Sequence, residues 1–434
     1  MKKTMVLNGL TLAIALSASA VNAASLDETI SSSLMSHPDV KQAYDNYVTR
    51  THLIDQSKAG YYPKIDAVAG AGHERIRTDR AETSSKTRQE LGVTLTQMIF
   101  DGFATSSDVH RTEAEAAAQR YALVAQANNT ALNVVNAYLN VMRYQEIFRL
   151  SQENLATHKV ILDDIDKRTT SGVGSSADYL QIKGRVARAE ANVAAAENNL
   201  LDAETEFMRL TNMQPVDLML PTSDVSKIPV TLAEAKDIAH KNHPTLKSAD
   251  KDIEATQYQY EASKSNFYPK LTFEGSQNYY NDADGFDGKT DTGQLMFRVR
   301  YNIFNGGGDI ALKRARASQI AEAKDVKMNS MRQLDEGVGL AWNAREILMK
   351  QKDFLQEHVK SSFETVQAYR KQFLLGTRSL LDVLNTENEL FEARQNAVNN
   401  DYDGIYANYR VLNATGQLLD SVSFKAPAEW MAKQ

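Results

Sequence analysis

The second half of this sequence repeats the first. His37-Pro38 recurs as His243-Pro244 and Tyr62-Pro63-Lys64 as Tyr268-Pro269-Lys270, each at an offset of 206 residues, while Ile99-Phe100-Asp101-Gly102 recurs as Ile303-Phe304-Asn305-Gly306 at 204. The loss of two residues falls between the proline motifs and the Ile-Phe motifs, where one loop of different length would put it. A third pair, Ser171-Gly172-Val173-Gly174-Ser175-Ser176-Ala177-Asp178-Tyr179-Leu180 and Leu375-Gly376-Thr377-Arg378-Ser379-Leu380-Leu381-Asp382-Val383-Leu384, is separated by 204 residues. Each copy ends a helical pattern with Gly, crosses small or polar residues and restarts a helix behind a short polar residue, which is the capping chemistry of a helical hairpin tip. A period of about 205 is too long for a solenoid repeat. The fold must therefore be two like halves packed against each other.

The halves change period in the same order. Leu26 to Gly60 reads as a helix of about 35 residues, interrupted at His37-Pro38 and ended by Pro63. From Ile65 the period becomes two: Ile65, Ala67, Ala69 and Ala71 alternate with Asp66, Val68, Gly70 and Gly72, a polar loop is expected at 75–89, and alternation resumes at Leu91, Val93, Leu95 and Ile99. The second half repeats this with Leu271, Phe273 and Tyr279, a loop at 281–293, and Leu295, Phe297, Val299, Tyr301 and Ile303, which puts Arg298 and Arg300 on the opposite face. Long helical patterns follow at 105–170 and 310–374. In the first, Leu123, Ala127, Thr130, Val134, Ala137, Val141, Tyr144 and Phe148 step by four and three, a coiled-coil seam without proline. About 65 residues at 1.5 Å each make a rod near 100 Å. Shorter, Ala-rich helices return at 178–211 and 381–418. The expected organisation is a first repeat over 24–229 (hairpin 65–100, long helix 105–170, return helix 178–211, linker), a second over 230–420 (hairpin 271–304, long helix 310–374, return helix 381–418) and a tail over 421–434. In the first half the N-terminal and returning helices together match the long helix, so stacked end to end they could pair along the whole rod.

Residues 1–23 carry Lys2 and Lys3, an apolar run from Met5 to Leu16 and the exit Val21-Asn22-Ala23, the pattern of a secretory signal peptide; a membrane anchor is the alternative, but the run is short and holds Asn8 and Gly9. There is no cysteine, so neither a disulfide nor a lipidated cysteine is available. No later apolar run reaches the length of a spanning helix, and a chain of this kind enters a membrane only as a β-barrel. A soluble sheet with one wet face also fits the alternation. Strands of about ten residues and aromatic residues near their ends (Tyr61, Tyr62, Phe100, Phe103, Phe267, Tyr268, Tyr279, Tyr280, Tyr301, Phe304) favour the barrel. Four strands cannot close one, since bacterial barrels begin at about eight, so an oligomer is required. The net charge of −6, or −8 without Lys2 and Lys3, offers no basic face to nucleic acid.

These features, with Ile303-Phe304-Asn305-Gly306-Gly307 at the strand-to-helix junction and above all Gly376-Thr377-Arg378-Ser379-Leu380-Leu381-Asp382-Val383-Leu384, resemble the TolC family of outer-membrane channel proteins over nearly the whole mature length, and its type I secretion branch in particular. The resemblance implies an α+β membrane protein whose homotrimer forms a 12-stranded outer-membrane β-barrel and a periplasmic α-helical tunnel. It implies partners as well: a periplasmic adaptor, an inner-membrane transporter of ABC type, outer-membrane lipid and an exported polypeptide, with multidrug or metal efflux as the alternative function. Residue by residue, it places Asp178 and Arg378 together as a latch, Asp382 as an entrance ring, and Arg298 and Arg300 in the barrel lumen. Two positions depart from the family pattern. The latch tyrosine is Phe373, and the second acidic residue of the ring is Asn385. Asp178 and Asp382 could equally be plain helix N-caps.

Other motifs lead to no enzyme, cofactor or metal. Asn305-Gly306-Gly307-Gly308 lacks the Lys of a phosphate loop. His240 and His243 have no third ligand near in sequence, and Asp282, Asp284 and Asp287 lack the spacing and closing Glu of a calcium loop. No nucleophile and base stand out.

Overall fold

The computed structural model describes residues 25–78, 81–221 and 227–430. The signal expected at 1–23, residues 222–226 of the linker and residues 431–434 of the tail lie outside the described residues. Helix α1 (Leu26–Ser36) opens on a capping box between Ser25 and Glu28. It stops at His37, whose ring accepts from the Asp39 amide while Pro38 occupies the first turn of α2 (Pro38–Lys58), so one dipeptide writes both the break and the restart. Strands β1 (Lys64–Thr78) and β2 (Ala81–Phe100) follow, then α3 (Ala104–Thr170) and α4 (Ser176–Thr211). The second half keeps the order: α5 (Leu232–Asn242), α6 (Pro244–Ser263), β3 (Lys270–Asn281), β4 (Lys289–Arg300), α7 (Gly308–Leu374) and α8 (Leu380–Ala414), with a short α9 (Leu418–Ser421) behind it. His243 caps α6 through the Thr245 amide as His37 caps α2.

The four strands form one antiparallel sheet in the order β1-β2-β3-β4. Register assigns the two faces. Ile65, Leu95, Gly275 and Leu295 share one row and Ala67, Val93, Gln277 and Gly293 the next, on the face where Leu91, Leu295, Phe297 and Val299 are exposed. In a closed barrel this apolar face is the side that would meet lipid. Gly92, Asn278, Tyr280, Glu90 and Arg298 lie on the other. At the periplasmic end Phe100, Phe103 and Tyr268 meet edge-on, with centroids 5.4 to 6.5 Å apart, as an interfacial aromatic cluster. Tyr280, expected in the girdle, is turned to the inner face, where the Arg88 guanidinium lies 5.5 Å from its ring.

Four boundaries differ from the sequence reading. The loop expected at 281–293 is confined to 282–288, because β3 and β4 stay paired from Gln277↔Gly293 to Asn281↔Lys289. Of the loop expected at 75–89, residues 75–78 and 81–89 form a ladder: β1 and β2 stay paired through Ile76↔Ser84, with one irregularity before Thr78↔Ala81. Ladder hydrogen bonds need no apolar side chain, so strands that have left the apolar layer lose their hydrophobic alternation but not their pairing. Strand β4 ends at Arg300, short of 304, because Asn302 accepts the Phe304 amide at 3.1 Å in a local turn that replaces the ladder. Helix α8 ends at Ala414, short of 418, at Gly416 (φ 74°), where a Cβ would come within 3.0 Å of His243 Cα.

Helix α3 is the spine, packed by α2 near the sheet, by α4 towards the tips, and by α6 and α8 of the other half. Its seam residues Leu123, Ala127, Val134 and Val141, and Tyr138 next to the seam, are fully buried beside Phe207 of α4 and Leu412 of α8. The Tyr138 hydroxyl donates to Met219 O at 2.7 Å and accepts from Met219 N at 2.8 Å, pinning the linker at mid-height. Helix α7 has the same 67 residues as α3 but buries four of them against twenty-two. It leaves Leu340, Ile347, Met349 and Phe354 exposed. A long helix this poorly covered, together with a sheet that has two open edges, marks the surface that neighbouring copies occupy.

Candidate gate at the hairpin tips

The two tips are built alike. At the first, Gly172 (φ 79°) turns the chain while the amides of Val173 and Gly174 return to Arg168 O at 3.0 and 2.9 Å. At the second, Gly376 (φ 77°) turns and the Thr377 amide returns to Gln372 O at 3.0 Å. Only glycine adopts this left-handed turn without strain.

The caps are Ser175 and Ser379, not the aspartates expected as an alternative. Ser175 Oγ accepts from the Ala177 amide. Ser379 and Asp382 close a capping box in which the Asp382 carboxylate accepts from the Ser379 hydroxyl at 2.8 Å. Asp382 is thus half-buried in its own helix start, and the Arg378 guanidinium stands 4.0 Å from it.

The residues expected as a latch are separated within one chain. Among the described residues no hydrogen bond or ion pair joins Asp178 to Arg378. Arg378 stacks 4.3 Å from the Tyr369 ring, donates through Nε to Gln372 Oε1 at 3.0 Å, and so stays on its own hairpin. Phe373, without a hydroxyl, is instead held by the Arg168 guanidinium 5.3 Å from its ring centroid, a contact from α3 to α7. Asn385 accepts from Arg185 Nη2 at 2.9 Å, a second link, from α4 to α8. Beneath them Ile165, Ile182 and Val186 of one hairpin pack on Leu380 and Leu384 of the other. The two hairpins of a chain are clamped by an apolar contact and two arginines.

Sequence reasoning missed both arginines and also Arg370, whose Nε donates to Glu387 Oε1 between α7 and α8, with the Glu387 side chain 6% exposed. A signal was present for the last: Glu387 sits on the same face as Val383, Leu384 and Leu390, where an acid demands a partner. Along the rim of α3, Lys167 donates to Asp163 at 2.5 Å, and that carboxylate raises its ammonium above the usual lysine range. In the barrel, Arg298 is on the inner face and donates to Glu274 at 2.9 Å, with Arg300 two residues on at the same face. No group of acids and histidines able to hold a metal occurs among the described residues.

A model of the outer membrane efflux protein family matches residues 29–213 and 236–417, both halves of the duplication. The chain belongs to that family. Its relatives include the outer membrane efflux protein BepC of Brucella suis, 26% identical over 366 residues that cover 83% of this chain and 78% of BepC. The outer membrane protein TolC of Vibrio cholerae is 23% identical over 376 residues, 84% of each chain. Among solved structures, the Campylobacter jejuni CmeC outer membrane channel superposes with a TM-score of 0.79 at 18% identity, covering 91% of this chain and 86% of that one. Members of the outer membrane efflux protein family are channels rather than enzymes, homotrimers that sit in the Gram-negative outer membrane, reach into the periplasm and work with periplasmic adaptors and inner-membrane transporters. Three copies of the four-stranded sheet supply a twelve-stranded barrel, and the two open edges, β1 and β4, are the ones that must meet.

Proposed function

We propose that the trimer is the outer-membrane duct of a tripartite multidrug efflux pump, gated at the hairpin tips. The observation that carries this reading is the match of the efflux family over both halves, together with relatives named for efflux, BepC among them. Arg168, Phe373, Arg185 and Asn385 are assigned to holding the hairpins of each chain together in the closed state, with Arg378 near the tip of the second hairpin and Asp178 in the first turn of α4, placed to meet a neighbouring copy. Asp382 lines the entrance, and Arg298 and Arg300 line the barrel lumen. Export of an unfolded polypeptide from an ABC-type transporter is the second reading; it rests on the sequence resemblance to the secretion branch.

One comparison separates them: drug susceptibility and the full set of culture-supernatant proteins in strains with and without the gene. Raised susceptibility with an unchanged supernatant is expected. Loss of one or a few large exported proteins at unchanged susceptibility would replace the efflux reading with the polypeptide one.

A further inference from the structure

We propose that the outward face of the β1–β2 extension, with Lys289 beside it, binds the phosphorylated saccharide headgroup of the outer-leaflet glycolipid. Pairing of β2 with β3 stops at Gln89↔Asn281, but β1 and β2 stay in unbroken register from Lys64↔Thr96 to Ile76↔Ser84. The lipid-facing row Ile65, Ala67, Ala69, Ala71 therefore continues along the same face as His73 and Arg75, with Arg77 just beyond, at the irregularity between Ile76 and Thr78. On β2 the row Leu95, Val93, Leu91 continues as Gln89, Thr87 and Ser85. Lys289 faces the same way, in the row of Ala71, Gln89 and Asn281.

The two faces of this extension handle charge in opposite ways. On the inner face Arg88 contacts Glu74 at 2.8 Å, Glu90 at 3.0 Å and Asp284 at 2.8 Å, and Lys86 pairs with Asp287. The turn after β3 thereby folds onto the inner face, with Gly285 facing Ile76. Arg75 and Lys289 on the outer face, and Arg77 at its end, are exposed, and no carboxylate lies within ion-pair distance of them among the described residues. His73 Nε2 and Ser85 Oγ, 3.0 Å apart, add polar groups between them. Among the described residues the acids of the extension sit inside; on the outer face Asp291, two residues beyond Lys289, is held by Gln277, and Arg75, Arg77 and Lys289 are left without an ion pair.

Position names the occupant. Arg75 stands four residues past Ala71, about 13 Å along the strand, and a strand tilted as in outer-membrane barrels carries it to headgroup height, above the apolar band. A guanidinium fork matches a phosphate monoester, and continuity with the lipid-facing band presents it to a phosphate that is anchored in the membrane rather than free. Each cation near anionic headgroups is worth roughly fivefold in affinity.

The test uses the full-length trimer in detergent and two glycolipid probes, bisphosphorylated lipid A and its dephosphorylated form, with binding read by native mass spectrometry. The wild type is expected to prefer the phosphorylated probe by about tenfold or more. Combined Arg75→Ser, Arg77→Ser and Lys289→Ser is expected to abolish that preference, and the charge-keeping pair Arg75→Lys and Arg77→Lys to retain most of it, trimer mobility on unheated gels being unchanged in both. Equal binding of the two probes by the wild type overturns the proposal even if the triple variant fails to assemble. So does an undiminished preference in the triple variant, or equal binding of soluble pyrophosphate, which would assign the patch to a free anion.

Discussion

Glu387 and Arg370 share one ion pair but not one environment: the acid is 6% exposed and the guanidinium 42%. Removing the arginine strands a carboxylate that cannot reach water, whereas removing the acid leaves a cation that can turn outward. Arg370→Met is therefore expected to destabilise the second tip by about 3 kcal/mol and Glu387→Met by clearly less, read as faster hydrogen exchange over 365–390. Equal effects would mean that the carboxylate is better hydrated than its burial indicates. At the other end of α8, burial of the His243 ring lowers its pKa from 6.5 to about 4. Above pH 6.5 the ring is neutral whether the chain is folded or not. As pH falls from 6.5 to about 4 the unfolded chain takes up a proton that the folded chain refuses, so stability is lost across that window, by roughly 3 kcal/mol at full effect. His243→Asn keeps the cap on α6 and is expected to flatten the pH dependence of the melting temperature there; an unchanged slope would assign the acid sensitivity to another group.

At the scale of elements the helices were the most legible part of the chain, because Gly172, Gly376, His37-Pro38 and His243-Pro244 mark their ends with caps and breaks that act locally. The strands were legible only inside the apolar layer, where side chains alternate. Beyond Ala71 the same backbone pairing continues under Glu74, Lys86 and Arg88, and polarity disguised it as a loop. The clamp between hairpins was illegible for a different reason. Arg185 and Asn385 are 200 residues apart, and nothing local to either announces the other. Its two polar links join elements that a gate must separate, so Arg168→Ala combined with Arg185→Ala is expected to shift the closed state toward open by about 1 to 2 kcal/mol and to raise single-channel conductance in planar bilayers several-fold. Conductance at the wild-type level would place the gate elsewhere. The apolar contact among Ile165, Ile182, Leu380 and Leu384 is left intact by these changes, so folding of the tips is not at stake.

For the whole molecule, the proposed entrance ring takes Asp382 from each chain, a carboxylate already shared with Ser379 and faced by Arg378. A ring of three such groups selects cations weakly. Asp382→Ala is expected to lower cation selectivity slightly, and Asn385→Asp to raise it little because the new carboxylate would sit against Arg185, measured as the reversal potential under a salt gradient; strong selectivity that survives Asp382→Ala would remove Asp382 from the entrance. The duplication bears on the trimer in another way. Three chains present six hairpin tips, but one kind carries Val173 and Gly174 at its turn and the other carries Arg378 stacked on Tyr369 and a capping box. The mouth therefore repeats every 120° and only imitates a repeat every 60°. A partner ring of six identical subunits docking there cannot find six equal seats. Its subunits divide into two alternating sets of three, each set meeting one kind of tip.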